Sequence, residues 1–138
     1  MIQIRELNTT DKIFFWEWIN YRIRKQTGNC QLEFPYELIP ATGLVAYTEE
    51  DELLAIALLY LERTSNVAVC GWCVANPGNH CKTSKKAIQK LLAQMPIYAK
   101  KFNAKCLLTT FGNRGINKIL DETGFFAGEK AENKFLML

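Results

Sequence analysis

The sequence is short of the features that mark membrane and secreted proteins. Its longest uninterrupted apolar run, Leu53–Leu61, has nine residues, whereas a helix that spans a bilayer needs about 20. The amino terminus begins MIQIRE and lacks the basic stretch followed by an apolar stretch that a secretory signal requires. We therefore expect no membrane association and a cytoplasmic location.

Repeats, linkers and low-complexity tracts are also missing. The chain has 138 residues, of which 49% are hydrophobic and 22% are charged. This balance is typical of globular proteins and excludes a mostly disordered chain. A chain of this length is long enough for one ordinary domain and too short for two. We predict a single domain over residues 1–138.

An even set of cysteines is missing too, because the sequence contains five, and we expect no disulfide framework. The motif Cys70-Gly71-Trp72-Cys73 suggests zinc or redox chemistry. However, residues 67–74 are typical of a buried strand, in which positions three apart point to opposite faces and cannot hold one ion. We therefore predict structural thiols and no metal.

Charge of one sign is missing from two long segments. Residues 31–62 carry seven acidic groups and no Lys or Arg, whereas residues 82–105 carry seven Lys and no acidic group, in a chain of net charge +3. One interpretation is two solvated faces of one domain; the other is an anion-binding site at the Lys-rich segment. Nucleic-acid binding is less favoured, because no aromatic residue interleaves with the first four lysines.

Hydrophobic periodicity predicts the order β-α-loop-β-β-β-α-β-α-β-β. The first helix follows cap residues at 8–11 and stops at Gly28. The second helix contains Pro96, which we expect to kink it or split it. The predicted strands are 2–6, 43–48, 53–62, 66–75, 105–110, 125–129 and 133–138, and the later helices are 83–102 and 113–123. This order predicts one α+β (mixed α/β) domain.

The carboxyl-terminal third carries a motif of known type. After the parallel strand comes Asn113, then Ile119, then Gly124-Phe125, at the spacing of Asn-x-x-Ala-x-x-Leu-Tyr-x-x-x-Gly-Phe, with Ile116 in place of Ala. Over nearly its whole length the chain resembles the GNAT superfamily, the Gcn5-related N-acetyltransferases, and in particular short phage-encoded proteins of this kind. The resemblance implies a mostly antiparallel mixed sheet of six to seven strands flanked by about four helices.

The resemblance also implies a site for acetyl-CoA as co-substrate. The family's glycine-rich loop, which holds the CoA pyrophosphate at a helix N-terminus, corresponds here to Pro77–Ile88. His80 replaces the usual Arg, and larger residues replace the glycines. The residues implied to bind the cofactor are Cys73, Val74, Lys82, Thr83, Ser84, Lys85, Lys86 and Asn113.

The catalytic groups depart from the family pattern. The tyrosine that protonates the CoA thiolate in many members corresponds to Leu120, which cannot donate a proton. The resemblance leaves Tyr60 and Glu62 as acid–base candidates, Cys73 as a conceivable nucleophile, and His80 as either a phosphate contact or a base.

The central strand supplies a further catalytic feature in the family. A backbone N–H there polarises the thioester carbonyl, and the matching amide belongs to Cys73 or Val74. The family's strand separation usually arises at a bulge, for which Gly71 is the natural position.

Two functions follow from the resemblance. One is an N-acyltransferase that transfers acetyl from acetyl-CoA to a primary amine of a small molecule or protein, with the acidic 31–62 segment facing a cationic amine. The alternative is a catalytically degenerate module that binds CoA or a protein partner, with a homodimer among the possibilities. Neither predicts a metal.

Overall fold

A computed structural model describes residues 1–62, 64–111 and 113–128 of the chain. These residues form five strands, three α-helices and one short 3-10 turn. In chain order the elements are β1 (Gln3–Glu6), α1 (Thr9–Thr27), the 3-10 turn (Tyr36–Leu38), β2 (Gly43–Tyr47), β3 (Leu53–Glu62), β4 (Val67–Ala75), α2 (Cys81–Lys100), β5 (Cys106–Thr109) and α3 (Arg114–Glu122).

The strands form one sheet in the order β1-β2-β3-β4-β5. Strands β1 to β4 pair as antiparallel neighbours, whereas β5 runs parallel to β4. Helices α2 and α3 pack on one face of the sheet, and α1 packs on the other face with Phe34. Because both faces are covered, every residue of β3 from Leu54 to Leu59 is buried, as in a strand at the centre of a two-sided core.

The predicted mixed α/β architecture is confirmed, with fewer elements than the resemblance implied. The described residues hold five strands rather than six to seven, and three α-helices rather than about four. Residues 125–128 form no strand, contrary to the prediction for 125–129. The strand predicted at 133–138, like residue 129, lies outside the described residues.

Helix α2 is continuous through Pro96, so the predicted split does not occur. Proline removes one backbone donor from a helix. Packing offsets this loss, because Leu92, Met95 and Ala99 on either side of Pro96 are buried against the sheet.

An ion pair with a buried carboxylate fixes the beginning of α1. Asp11, which is 2% exposed, accepts hydrogen bonds from Arg5 Nη1 at 2.6 Å and Nη2 at 2.9 Å. Asp11 Oδ2 also accepts the N–H of Asn8 at 2.8 Å, and Asn8 Oδ1 accepts the N–H of Asp11 at 3.0 Å, which together form a capping box. The hydrogen bond to Asp11 raises the pKa of Arg5, and the pair joins β1 to α1.

We predict that Asp11→Ala lowers the free energy of unfolding by about 2–4 kcal/mol, because it removes the cap and leaves Arg5 without its partner. Urea unfolding followed by circular dichroism measures the loss. Glu17→Ala is the matched control, since Glu17 is exposed on the same helix and its loss should stay within about 0.5 kcal/mol. Equal losses in the two variants would show that the ion pair contributes nothing.

Candidate functional site

Strands β4 and β5 separate half-way along β4. Their parallel pairing runs from Val67 opposite Cys106 to Cys70 opposite Thr109. β4 then continues to Ala75 without a ladder partner on that side in the described part of the chain. Backbone N–H and C=O groups on this edge of β4 are therefore available to a ligand.

The separation begins at a β-bulge. Leu58 pairs with Trp72 and Tyr60 pairs with Val69, so β4 contributes one more residue than β3 over this interval. Gly71 lies in the bulge, which confirms its prediction from the sequence. A Cβ atom at Gly71 would lie 3.1 Å from the Thr110 side-chain oxygen, so the glycine permits a close approach of the segment that follows β5.

Two adjoining cavities occupy the opening, and together we call them the cleft. The outer chamber has a volume of about 870 Å³ and is lined by α1, the end of β4, and the first turns of α2 and α3. The inner chamber, of about 320 Å³, lies between α1 and the bulged part of β4. The residues that line both chambers are Arg22, Gln26, Asn113 and Ile116.

The cleft is electrically positive. Its cations come from three helices: Arg22 and Lys25 from α1, Lys85 from α2, and Lys118 from α3. No Asp or Glu of the described residues lines either chamber. Helices α2 and α3 both begin here, and each helix N-terminus adds a partial positive charge. This combination of cations and helix N-termini suits an anionic ligand.

Helix α2 begins at Cys81, two residues earlier than predicted, because His80 caps it. His80 Nδ1 accepts the N–H of Lys82 at 3.3 Å, and the His80 carbonyl accepts the N–H of Ser84 at 3.0 Å. The N–H groups of Cys81 and Thr83 in the first turn have no intrahelical partner. Of these two residues only Cys81 lines the outer chamber, so its amide can bind an anion there, while His80 serves as the helix cap.

The structure divides the predicted cofactor residues into two groups. Those that line the outer chamber are Val74, Ser84, Lys85 and Asn113, and Cys73 lines the inner chamber. Those that line neither chamber are Lys82, Thr83 and Lys86. Successive residues of a helix point about 100° apart, so a run of lysines along α2 cannot face one site.

Tyr60 lies outside the cleft. Its hydroxyl donates a hydrogen bond to the Leu38 carbonyl at 2.8 Å, and its ring lines a separate apolar cavity with Phe34 and Trp72. Burial raises the pKa of Tyr60 to about 12. This geometry fastens the loop before β2 onto β3 rather than providing a proton-transfer group for the cleft.

Glu62 also lies outside the cleft. It pairs with Val67 at the start of β4, whereas the outer chamber lies at the other end of that strand. The Ser65 and Thr64 hydroxyls each donate a hydrogen bond of 2.6 Å to its carboxylate, and these bonds lower the pKa of Glu62 to about 2. The carboxylate therefore stabilises the β3–β4 turn.

Cys70 and Cys73 lie in the same core cluster, which corrects the prediction that they point to opposite faces. The extra residue of the bulge shifts the alternation of side chains by one position. Burial raises the pKa of Cys70 well above its usual value and that of Cys73 to about 12, although the charge of Arg22 acts to lower the latter. Protonated thiols are poor nucleophiles.

No metal-binding group forms around these thiols, because no third His, Cys, Asp or Glu of the described residues joins them. The predicted role of both thiols as buried core residues fits their full burial.

Helix α3 contributes a cap and a core residue. Asn113 Oδ1 accepts the N–H groups of Gly115 at 2.8 Å and Ile116 at 3.1 Å, which places the start of α3 at the cleft. Leu120, at the position of the family's tyrosine, is 4% exposed and packs in the core. It offers no proton to a leaving thiolate.

The wall that α1 contributes to the cleft was not predicted from the sequence. The side chains of this wall recur at helical spacing, which is the signal that could have found them; they are Trp18, Tyr21, Arg22 and Lys25. Lys25 Nζ lies 5.9 Å from the centre of the Tyr21 ring, within the range of a cation–π contact. A polar edge beside the apolar stripe of a helix can mark a binding wall as well as a solvated face.

Comparison with known proteins was informative for structure alone. No protein-family model matches the sequence, and no curated protein matches it significantly. A crystal structure of a probable acetyltransferase superposes with a TM-score of 0.70 at 16% identity, covering 99% of this chain and 97% of the other. A GNAT-family acetyltransferase from Staphylococcus aureus Mu50 gives 0.63 at 18% identity, covering 100% and 94%. The chain has the GNAT fold.

A third similar structure carries ligands. N-acetylglutamate synthase from Neisseria gonorrhoeae, crystallised with coenzyme A and N-acetyl-glutamate, gives a TM-score of 0.66 at 16% identity. The match covers 94% of this chain and 29% of the synthase, so it extends over one part of a longer protein. Within the described residues of this GNAT fold, no helix is long and apolar enough to cross a membrane.

We predict that a thiol reagent such as DTNB reacts with three cysteines of the folded protein and with five after denaturation, because Cys70 and Cys73 are buried whereas Cys30, Cys81 and Cys106 are exposed. Absorbance counts the thiols, and mass spectrometry of an alkylated digest identifies them. Rapid labelling of Cys73 in the folded protein would contradict its burial and restore it as a nucleophile.

Proposed function

We propose that the chain is a divergent member of the GNAT superfamily and an acyl-CoA-dependent N-acyltransferase. It would transfer an acetyl group from acetyl-CoA to a primary amine by direct attack. The observation that carries this proposal is the positive cleft at the separation of β4 and β5, where the N-termini of α2 and α3 meet. The likeness to a GNAT-family acetyltransferase, and to an N-acetylglutamate synthase crystallised with coenzyme A, supports it.

The phosphates of CoA belong at the outer chamber. The N–H group of Cys81, the Ser84 hydroxyl and the Lys85 ammonium come from the first turns of α2, and Lys118 of α3 lines the same chamber. Backbone amides and flexible ammonium groups replace the glycine-rich loop of the family. In the family the loop binds the pyrophosphate through backbone N–H groups, whereas here ammonium side chains provide much of the positive charge.

The acyl end belongs at the inner chamber, beside the unpaired edge of β4. An N–H of Cys73 or Val74 donates to the thioester oxygen. The amine lone pair attacks the carbonyl carbon, the carbon–sulfur bond breaks, and the sulfur leaves as the CoA thiol after taking up a proton. No carboxylate or imidazole of the described residues lines the cleft, so the amine proton passes to water.

One observation favours the second candidate, a module that binds CoA without turnover. Leu120 fills the tyrosine position, and the acid–base candidates of β3 lie outside the cleft. Binding and turnover therefore need separate tests.

Acetyl-CoA should bind with a dissociation constant in the micromolar range, as measured by isothermal titration calorimetry. We predict that Lys85→Glu weakens binding about tenfold or more, equivalent to about 1.4 kcal/mol, because it places a negative charge in the outer chamber. Lys86→Glu is the matched control, since Lys86 is adjacent in sequence but lines neither chamber. An absence of heat at millimolar acetyl-CoA, or equal losses in the two variants, would contradict the proposed site.

For turnover, we predict that kcat/KM rises about tenfold per pH unit up to the pKa of the acceptor amine, which is about 10 for a Lys-type amine. The rise follows because the enzyme supplies no base and only the neutral amine attacks. Release of the CoA thiol, followed spectrophotometrically with a panel of amines, gives the profile. A bell-shaped profile would reveal an enzyme base, and CoA binding with no thiol release would favour the non-catalytic module.

A further inference from the structure

We infer that Arg22 binds a carboxylate of the acceptor, so that the substrate is a small amine carrying a carboxylate near its amino group, as amino acids do. This inference rests on the proposed acyltransferase function and assigns its second substrate. It departs from the cationic amine that the charge pattern of the sequence suggests.

Arg22 lies on the part of α1 that both chambers share. Its side chain lines both chambers of the cleft, and it is half-buried. Its positive charge acts on the Cys73 thiol, on the unpaired stretch of β4 within the inner chamber. The guanidinium therefore lies where the two chambers adjoin, within reach of the acyl end of the cleft.

Arg22 has no acidic partner among the described residues. Within the described residues, no carboxylate lies within ion-pair distance of Arg22. Arg5, by contrast, is held in a bidentate pair with Asp11. A half-buried guanidinium without a counter-ion is unfavourable, and its planar fork of donors matches a carboxylate.

The phosphates of CoA are not the best partner for Arg22. Lys85 and Lys118, together with the first-turn amide of Cys81, already provide for them at the outer chamber. The walls around Arg22 in the inner chamber are largely apolar, and they include Ile19, Ile23, Trp72 and Phe111. In such surroundings an ion pair is stronger than in water, and a small zwitterionic amine fits this volume of about 320 Å³.

The acidic residues of the chain support the same conclusion. None of the seven acidic groups in residues 31–62 lines either chamber, so the expected attraction of that segment for a cationic acceptor has no counterpart in the cleft. A polyamine in the cleft would be repelled by the positive charges of Arg22 and Lys25, because no acidic side chain of the described residues lines the cleft to offset them.

The test compares Arg22→Gln with Arg24→Gln, a matched control because Arg24 is exposed on the same helix and lines neither chamber. Acceptors are the standard L-amino acids, each active one paired with its amide, and spermidine. For the wild type and Arg24→Gln we expect kcat/KM to be at least tenfold higher for the carboxylate than for its amide, with spermidine poorer still. Arg22→Gln should abolish this preference through KM, Arg22→Lys should restore part of it, and neither should change the Kd of acetyl-CoA.

Each other outcome has a definite meaning. A preference for spermidine overturns the inference. Weaker acetyl-CoA binding by Arg22→Gln assigns the guanidinium to a CoA phosphate, and an equal loss of kcat with every acceptor assigns it to the thioester oxygen; both overturn it.

A binding measurement separates this inference from the proposed function. The NMR signal of the Arg22 Nε–H group is followed while the CoA-bound protein, or the free protein if CoA does not bind, is titrated with alanine and with alaninamide. A shift with alanine alone supports the carboxylate site even if no acetyl transfer occurs. No shift with alanine overturns it even if some amine is acetylated.

Discussion

The end of hydrogen bonding between β4 and β5 at Cys70 is the constraint on which the site depends. A continuous ladder would use both edges of β4 and close the sheet at this point. The extra residue of the bulge turns β4 away from β5, and the unpaired edge up to Ala75 becomes the floor of the cleft. The first turns of α2 and α3 then meet at this opening, because each helix follows one of the two separating strands.

The bulge also changes the chemistry of the core beneath the cleft. It brings Cys70 and Cys73 to one face, where both are buried. The alternation of side chains along a regular strand does not predict this arrangement. The change of face depends on one extra residue in β4, and the position of that residue is set by the pairing of β4 with β3. Gly71 indicated where the bulge lies. That the bulge turns Cys70 to the same face as Cys73 follows only from the register of β4 against β3. The two cysteines of the CxxC motif are thus core residues that pack on either side of the bulge.

The sequence was sufficient for most of the fold, because the helices and strands of this chain have clear periodicity and end at recognisable caps such as Asn8 and Gly28. It was less informative about the site. Val74, Ser84, Lys85 and Asn113 were predicted and line the outer chamber, since they flank the turns where strands give way to helices. The wall of α1 was missed, because its cations alternate with core residues, and only the packing of α1 against the sheet distinguishes a cleft wall from a solvated face.

The distribution of charge explains why linear charge blocks mislead. Seven lysines between residues 82 and 105 form one block in the sequence, yet the fold separates them. Five lie on α2; Lys85 lines the cleft, whereas Lys90 donates to the Ile2 carbonyl and Lys101, just after the helix, lies 3.7 Å from Glu6. The cleft acquires its charge instead from single residues on three helices, which the fold brings together at one opening. Neighbouring charges on a helix are therefore spread around it, whereas charges distant in the sequence converge where helices begin or cross the end of β4. This convergence brings a guanidinium from α1 and the first-turn residues of α2 to the walls of one cleft.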